Sequence, residues 1–215
     1  YMLRRNSDAF AGGNWTPLIS SGADRVYVNS WNAGEKKIYT VLNMDNRGYN
    51  GPLFAAGDTA GKHLVSLYRH EELAPAVING TLMAPVEVPG WSQTFIGTRR
   101  ESSVDCIALL PRLISTGLRG NRLRIASPVS GTLLVSTGAP GYANKPLRIK
   151  APADTLISTD ALLGIAGSKI VIELTDSDGI LLDEKVFTQG QGKPWLVSET
   201  IRTNPSTEIP PEMVL

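Results

Sequence analysis

The sequence predicts an all-β fold: two consecutive β-sandwiches, the second immunoglobulin-like, behind a short N-terminal helical segment. Three observations predict it. From Arg25 onward, apolar and polar residues alternate with a period of two in one short run after another. Clusters of Gly, Pro, Asn and Asp separate the runs at intervals of about 8–12 residues, the pattern of a sandwich. The 21 Gly and 14 Pro supply the turns that many short strands require.

The elements follow in order. Residues 1–10 read as the end of a helix, with Leu3, Ser7 and Phe10 near one face and Gly12-Gly13 as its stop. Arg25 to Trp31 alternates, Asn32-Ala-Gly34-Glu turns, and Lys37 to Asn43 returns as the hairpin partner. Further strands are expected at Leu53 to Ala56, His63 to Tyr68, Val77 to Met83, Val86 to Val88 and Trp91 to Gly97. Val104 to Leu110 is apolar on both faces after Asp105, which predicts a central strand. A break at Ser115 to Gly120 opens a second series: Asn121 to Ser127, Gly131 to Thr137, Pro146 to Lys150, Lys169 to Thr175 and Ile180 to Phe187. Ile125, Leu133, Val135, Ile149, Ile170, Ile172, Leu174 and Leu182 are its expected core. The divisions are 1–20 for the helical end and connector, 21–115 and 116–190 for the sandwiches, and 191–215 for a Pro-rich linker. A chain that opens on Tyr1 without an initiator Met or signal peptide is expected to be a piece of a longer protein.

Composition narrows the function classes. The net charge is +1, carried by residues 1–115, with residues 116–215 neutral, so neither half offers the basic patch that nucleic acid requires. No apolar run is long enough to span a bilayer. One Cys and two His argue against a disulfide scaffold or a zinc site, and no cofactor is implied. His63 and His70 are seven apart, whereas ligands sharing a strand face would sit at i, i+2. Cys106 lies in the most apolar strand and reads as a buried, inert thiol. Glu71-Glu72 and Asp183-Glu184 read as solvated surface rather than as a catalytic pair facing across a gap. Asp176-Ser-Asp-Gly179 opens like a calcium loop, but its twelfth position is Phe187, so it reads as a β-turn. Asn14-Trp-Thr16 and Asn79-Gly-Thr81 fit the glycosylation pattern, which also arises by chance. Nothing predicts catalysis within this chain.

The aromatic residues are the remaining binding candidates. Tyr27 and Trp31 share a strand face, Tyr39 lies on the partner strand, and Trp91 follows Pro89-Gly90 at a turn. Such a group suits a core, a face that docks a neighbour, or a platform for sugar rings. Trp15 is expected to pack on the N-terminal helix, and Trp195 to pin the tail.

The stretches Arg4-Arg-Asn-Ser-Asp-Ala-Phe10, Trp15-Thr-Pro-Leu18, Val26 to Trp31, Ile38 to Asn43 and Leu67-Tyr-Arg-His-Glu-Glu-Leu73 resemble a junction in multidomain bacterial glycoside-hydrolase-like proteins. There the last helix of a TIM barrel leads into a C-terminal β-sandwich. The tail Ile209-Pro-Pro-Glu-Met-Val-Leu215 resembles the opening of a formylglycine-generating-enzyme-like domain. The resemblance implies a non-catalytic accessory region that packs beside neighbouring domains of its own polypeptide, in the periplasm or at the cell surface. The aromatic candidates make a carbohydrate-binding module using Tyr27, Trp31, Tyr39 or Trp91 the alternative, and a protein-interaction module of an unrelated surface protein is the second alternative. The catalytic carboxylates of such a barrel would lie upstream. If residues 1–10 end a barrel helix, Met2, Leu3 and Phe10 should fold back onto the first sandwich or pack on another copy.

Overall fold

The computed structural model describes residues 1–91, 103–159, 169–188 and 201–202, and the chain is all-β over them. The elements run α1 (Met2–Arg5), α2 (Ser7–Phe10), β1 (Trp15–Thr16), β2 (Val26–Ala33), β3 (Lys36–Asn43), β4 (Gly48–Ala55), β5 (Lys62–Ser66), β6 (Glu71–Leu73), β7 (Ala76–Ile78) and β8 (Thr81–Val88). They continue β9 (Val104–Pro111), β10 (Ser115–Arg119), β11 (Arg122–Thr137), β12 (Leu147–Ser158), β13 (Lys169–Thr175), β14 (Leu181–Thr188) and β15 (Ile201–Arg202). No helix among these residues is long and apolar enough to cross a membrane.

The first sheet is antiparallel with the order β1-β2-β3-β9-β5-β6, and it packs on a second sheet ordered β15-β4-β8-β7. Val28, Tyr39, Val41, Leu64, Ile107 and Leu109 of the first sheet meet Leu53, Phe54, Ala84, Val86 and Val88 of the second. The opposite face of the first sheet is also covered. Ile38, Val65, Cys106, Ala108 and Leu110 pack there against Ala9, Leu67 and Leu181. Double coverage is why β9 lacks a polar face: both sets of side chains leave water, and the strand sits between β3 and β5.

The third sheet has the order β10-β11-β13-β14, with β12 also paired to β11. The 16-residue β11 bends where its register with β12 shifts between Ser127 and Gly131. Before the bend it pairs with β10; after it, with β13. The two wings close on Leu123 and Ile125 from one side and Leu133, Val135, Ile170, Ile172 and Leu174 from the other. All eight expected core residues take part, Ile149 and Leu182 as partly buried members. The Asp176 turn is built as its residues dictate: Asp176 Oδ1 accepts from the Asp178 and Ile180 amides, and Gly179 takes a φ of 82°.

Several expectations need correction. The N-terminal segment is two single turns, broken at Asn6 with φ −124°, rather than one helix. It folds back onto the first sheet: Ala9 is buried, Met2 and Phe10 half-buried, while Leu3 stays 68% exposed. The expected strand Val77 to Met83 is a hairpin. Asn79 (φ 48°) and Gly80 (φ 77°) are both left-handed and join β7 to β8, as Asn-Gly turns do. Of the expected linker 191–215, only Ile201–Arg202 is described, and it pairs parallel with Gly48–Tyr49 at the edge of the second sheet. Most of the expected strand Trp91 to Gly97, Trp195 and the tail 209–215 lie outside the described residues.

Candidate functional site

The densest polar cluster lies between the first and third sheets, and the reading of Asp183-Glu184 as solvated surface is overturned there. Both side chains are buried on β14. Asp183 Oδ1 lies 2.6 Å from His63 Nε2 on β5. Its Oδ2 accepts from the Leu113 and Ile114 amides, each at 2.8 Å, in the segment joining the two halves. Glu184 Oε1 lies 2.8 Å from His70 Nδ1, in the turn before β6. His70 holds a left-handed φ of 53°, and Lys169 Nζ donates to the Arg69 and His70 carbonyls at 2.9 and 3.1 Å.

Further pairs surround these. Lys185 reaches Glu72 at 2.5 Å, and Glu72 Oε2 lies 3.9 Å from His63 Nδ1. Arg69 pairs with Asp105 at 3.1 Å, while Asp105 accepts from Ser66 Oγ and the Cys106 amide. Tyr1 donates its phenol proton to Glu173 at 2.5 Å, and Arg5 Nε lies 3.6 Å from the same carboxyl. Lys36 Nζ ties Asp8 and the Leu181 carbonyl together at 2.8 and 2.9 Å. Among the described residues no three potential metal ligands converge.

Burial sets the electrostatics. It depresses the His63 imidazolium, but hydrogen bonds and charge from Asp183 and Glu72 outweigh it and leave His63 above the ordinary histidine value. Burial pushes Glu72 up, yet His63 and Lys185 hold it at about 2. Glu173 and Glu184 are cross-strand register partners, and burial raises both despite Tyr1, Arg5 and His70. Burial also pushes the Cys106 thiol up, which suits an inert core residue. Glu173 and Glu184 line a cleft of about 330 Å³ with Tyr1, Arg5 and His70. They stand side by side on one wall, not across from each other as glycoside hydrolysis requires. The one sequence-level hint of this cluster was that a chain with only two histidines also carries adjacent acids inside a strand.

The aromatic candidates do not form one group. Tyr27 and Trp31 lie on the face of β2 that looks away from the second sheet, Tyr27 being 44% exposed and Trp31 half-buried. Tyr39 lies opposite Ser30 and points the other way, into the core, where it packs on Phe54 and donates to the Ala56 carbonyl at 3.0 Å. Trp91 sits apart, its amide donating to the Asp45 carbonyl at 2.6 Å. Trp15 joins instead. It is the register partner of Trp31 and stacks on it at 5.1 Å and 14°, while Phe10 meets Trp31 edge-on at 5.3 Å. Sequence reasoning placed Trp15 in a connector because a two-residue strand has no periodicity to detect.

No protein-family model matches this chain, and no curated protein matches it. Among solved structures it is similar to the gamma-CGTase of alkalophilic Bacillus clarkii, at 14% identity and a TM-score of 0.30 over 85% of this chain. The chain spans 27% of that protein's length, and a likeness of this degree carries no functional information.

Proposed function

We propose that the chain is a non-catalytic accessory region of a larger bacterial carbohydrate-processing protein, holding neighbouring domains of the same polypeptide at a fixed spacing outside the cytoplasm. One observation carries the reading: the acid–base side chains bolt the two halves together. Asp183 is fully buried and engages both carboxylate oxygens, Oδ1 with His63 and Oδ2 with the Leu113 and Ile114 amides, so its role here is to tie segments together rather than to face a substrate. The resemblance of residues 4–73 to a barrel–sandwich junction adds the carbohydrate context. The test is an assay of the purified chain on aryl-glycosides and sulfate esters. No turnover above buffer is expected; turnover abolished by Glu184→Gln would overturn the reading.

The second reading, a carbohydrate-binding module, is favoured by the outer aromatic strip. Trp15 is 47% exposed beyond its stack on Trp31, and Tyr27 is exposed on the same strand face as Trp31. Affinity electrophoresis through a panel of polysaccharides tests it. Retardation lost in Trp15→Ala promotes this reading over the first.

A further inference from the structure

We propose that a second pocket, on the other side of Tyr1 and Arg5 from the cleft at Glu173 and Glu184, binds an acidic sugar unit, a pyranose bearing a carboxylate or a sulfate. The proposal rests on the carbohydrate context of the preceding section and names the chemistry of one ligand within it. The pocket, about 270 Å³, lies between α1, the loop leading into β12 and the Asp178-Gly179 turn. Ligand pockets usually run about 300–1,000 Å³, so this one suits a single ring.

Its walls combine charge and aromatic faces. Arg4 and Arg148 line it, both exposed, and neither has an ionic partner among the described residues. Asp178 is the one carboxylate on the rim. Tyr1 and Tyr142 form an aromatic side, meeting edge-on at 5.5 Å and 77°. Both neighbouring segments are anchored. Arg5 donates to the Gly179 carbonyl at 2.9 Å and to the Tyr1 hydroxyl at 3.0 Å. Asn144 donates its side-chain amide to the Ala139 carbonyl and its backbone amide to Gly141 at 3.1 Å, closing the loop on itself. Unpaired guanidinium forks select planar or tetrahedral oxyanions through paired N–H donors. A bare anion would need only those forks. Tyr1 is engaged by the Arg5 guanidinium at 5.0 Å, so the exposed Tyr142 ring is the one that calls for an apolar ring face beside the charge, which a pyranose offers through its C–H groups.

Affinity electrophoresis of the 215-residue chain through polygalacturonate, dextran sulfate and unmodified dextran tests this. Retardation is expected in at least one acidic polymer and not in dextran. Arg4→Ala and Arg148→Ala should each weaken it about tenfold, the loss of one charge-assisted contact. Arg148→Lys should weaken it less, because it keeps the charge and loses the fork, and Asp178→Asn should strengthen it. Both arginines are exposed, so unchanged thermal unfolding of these variants is expected. No retardation in either acidic polymer overturns the proposal. So does retardation untouched by both arginine variants, or complete displacement by equimolar inorganic sulfate. Retardation in dextran alone, lost in Trp15→Ala, overturns the acidic-sugar proposal while upholding carbohydrate binding.

Discussion

At the scale of single residues, Asp183 holds the junction. Removing a buried carboxylate strands the His63 ring and two amides that have no other acceptor among the described contacts. Breaking one partner of a buried pair costs about 3–5 kcal/mol, far beyond a surface ion pair. Asp183→Ala should therefore lower stability by about 3 kcal/mol, read as a drop in the urea midpoint; a change under about 0.5 kcal/mol, typical of surface sites, would refute the bolt. His63 sets the pH dependence. Its folded value is raised above the unfolded one, so its contribution is complete below about 6.5 and is lost as pH climbs through the folded value. Glu173 and Glu184 are also raised, so they act in the same direction from the ordinary carboxylate range upward. Glu72, held at about 2, acts oppositely: its contribution is present above the ordinary carboxylate value and lost only in strong acid. Melting temperature should consequently fall between pH 6 and 9, and His63→Gln should flatten that slope. An equal slope in the variant would assign the effect elsewhere.

At the scale of elements, two glycines separate backbone preference from crowding. Gly80 needs its left-handed φ of 77° to turn β7 into β8, but a Cβ there meets nothing within 4 Å. Gly80→Ala should cost only the conformational term, about 1 kcal/mol. Gly131 stands where β11 resumes pairing after its bend, and a Cβ there would lie 2.4 Å from the Thr175 carbonyl oxygen. That atom is backbone of the adjoining strand β13, so relief requires moving the sheet. Gly131→Ala should cost more, about 2–3 kcal/mol. Chemical denaturation of the two variants side by side gives the comparison; the reverse order would mean that the bend is not held by close approach of β11 and β13.

At the scale of the whole molecule, the two halves should unfold together. Leu181 of β14 is buried against the back of the first sheet, and β14 supplies both carboxylates for His63 and His70. Scanning calorimetry should show one transition with equal calorimetric and van't Hoff enthalpies, and Asp183→Ala should separate it into two. Two transitions in the unmodified chain would mean that the junction is too weak to act as a rigid spacer. A rigid junction is what an accessory region needs if it is to fix the distance between its neighbours.

The sequence by itself determined the all-β class, most of the longer strands, the central position of β9 and the membership of the second core, but it read β10 (Ser115–Arg119) as a break and passed over the short β1 and β6 and the second half of β12. What it determined follows from local alternation, since side chains on a strand switch faces at every residue and a doubly buried strand loses its polar set. The Asn79-Gly80 hairpin was missed, although its dipeptide is the usual signal for such a turn, because the apolar pairs on either side were read as one strand. Tertiary structure alone decided which charges are buried. Asp183 and His63 are 120 residues apart, and an acid on a strand looks the same in sequence whether water or a histidine from another sheet faces it. It likewise decided the aromatic faces: Tyr27, Trp31 and Tyr39 all lie on the β2–β3 hairpin, and the pairing register turned Tyr39 into the core and left Trp31 for Trp15. Burial is a property of pairs of surfaces, and the second surface of each pair came from a distant part of the chain.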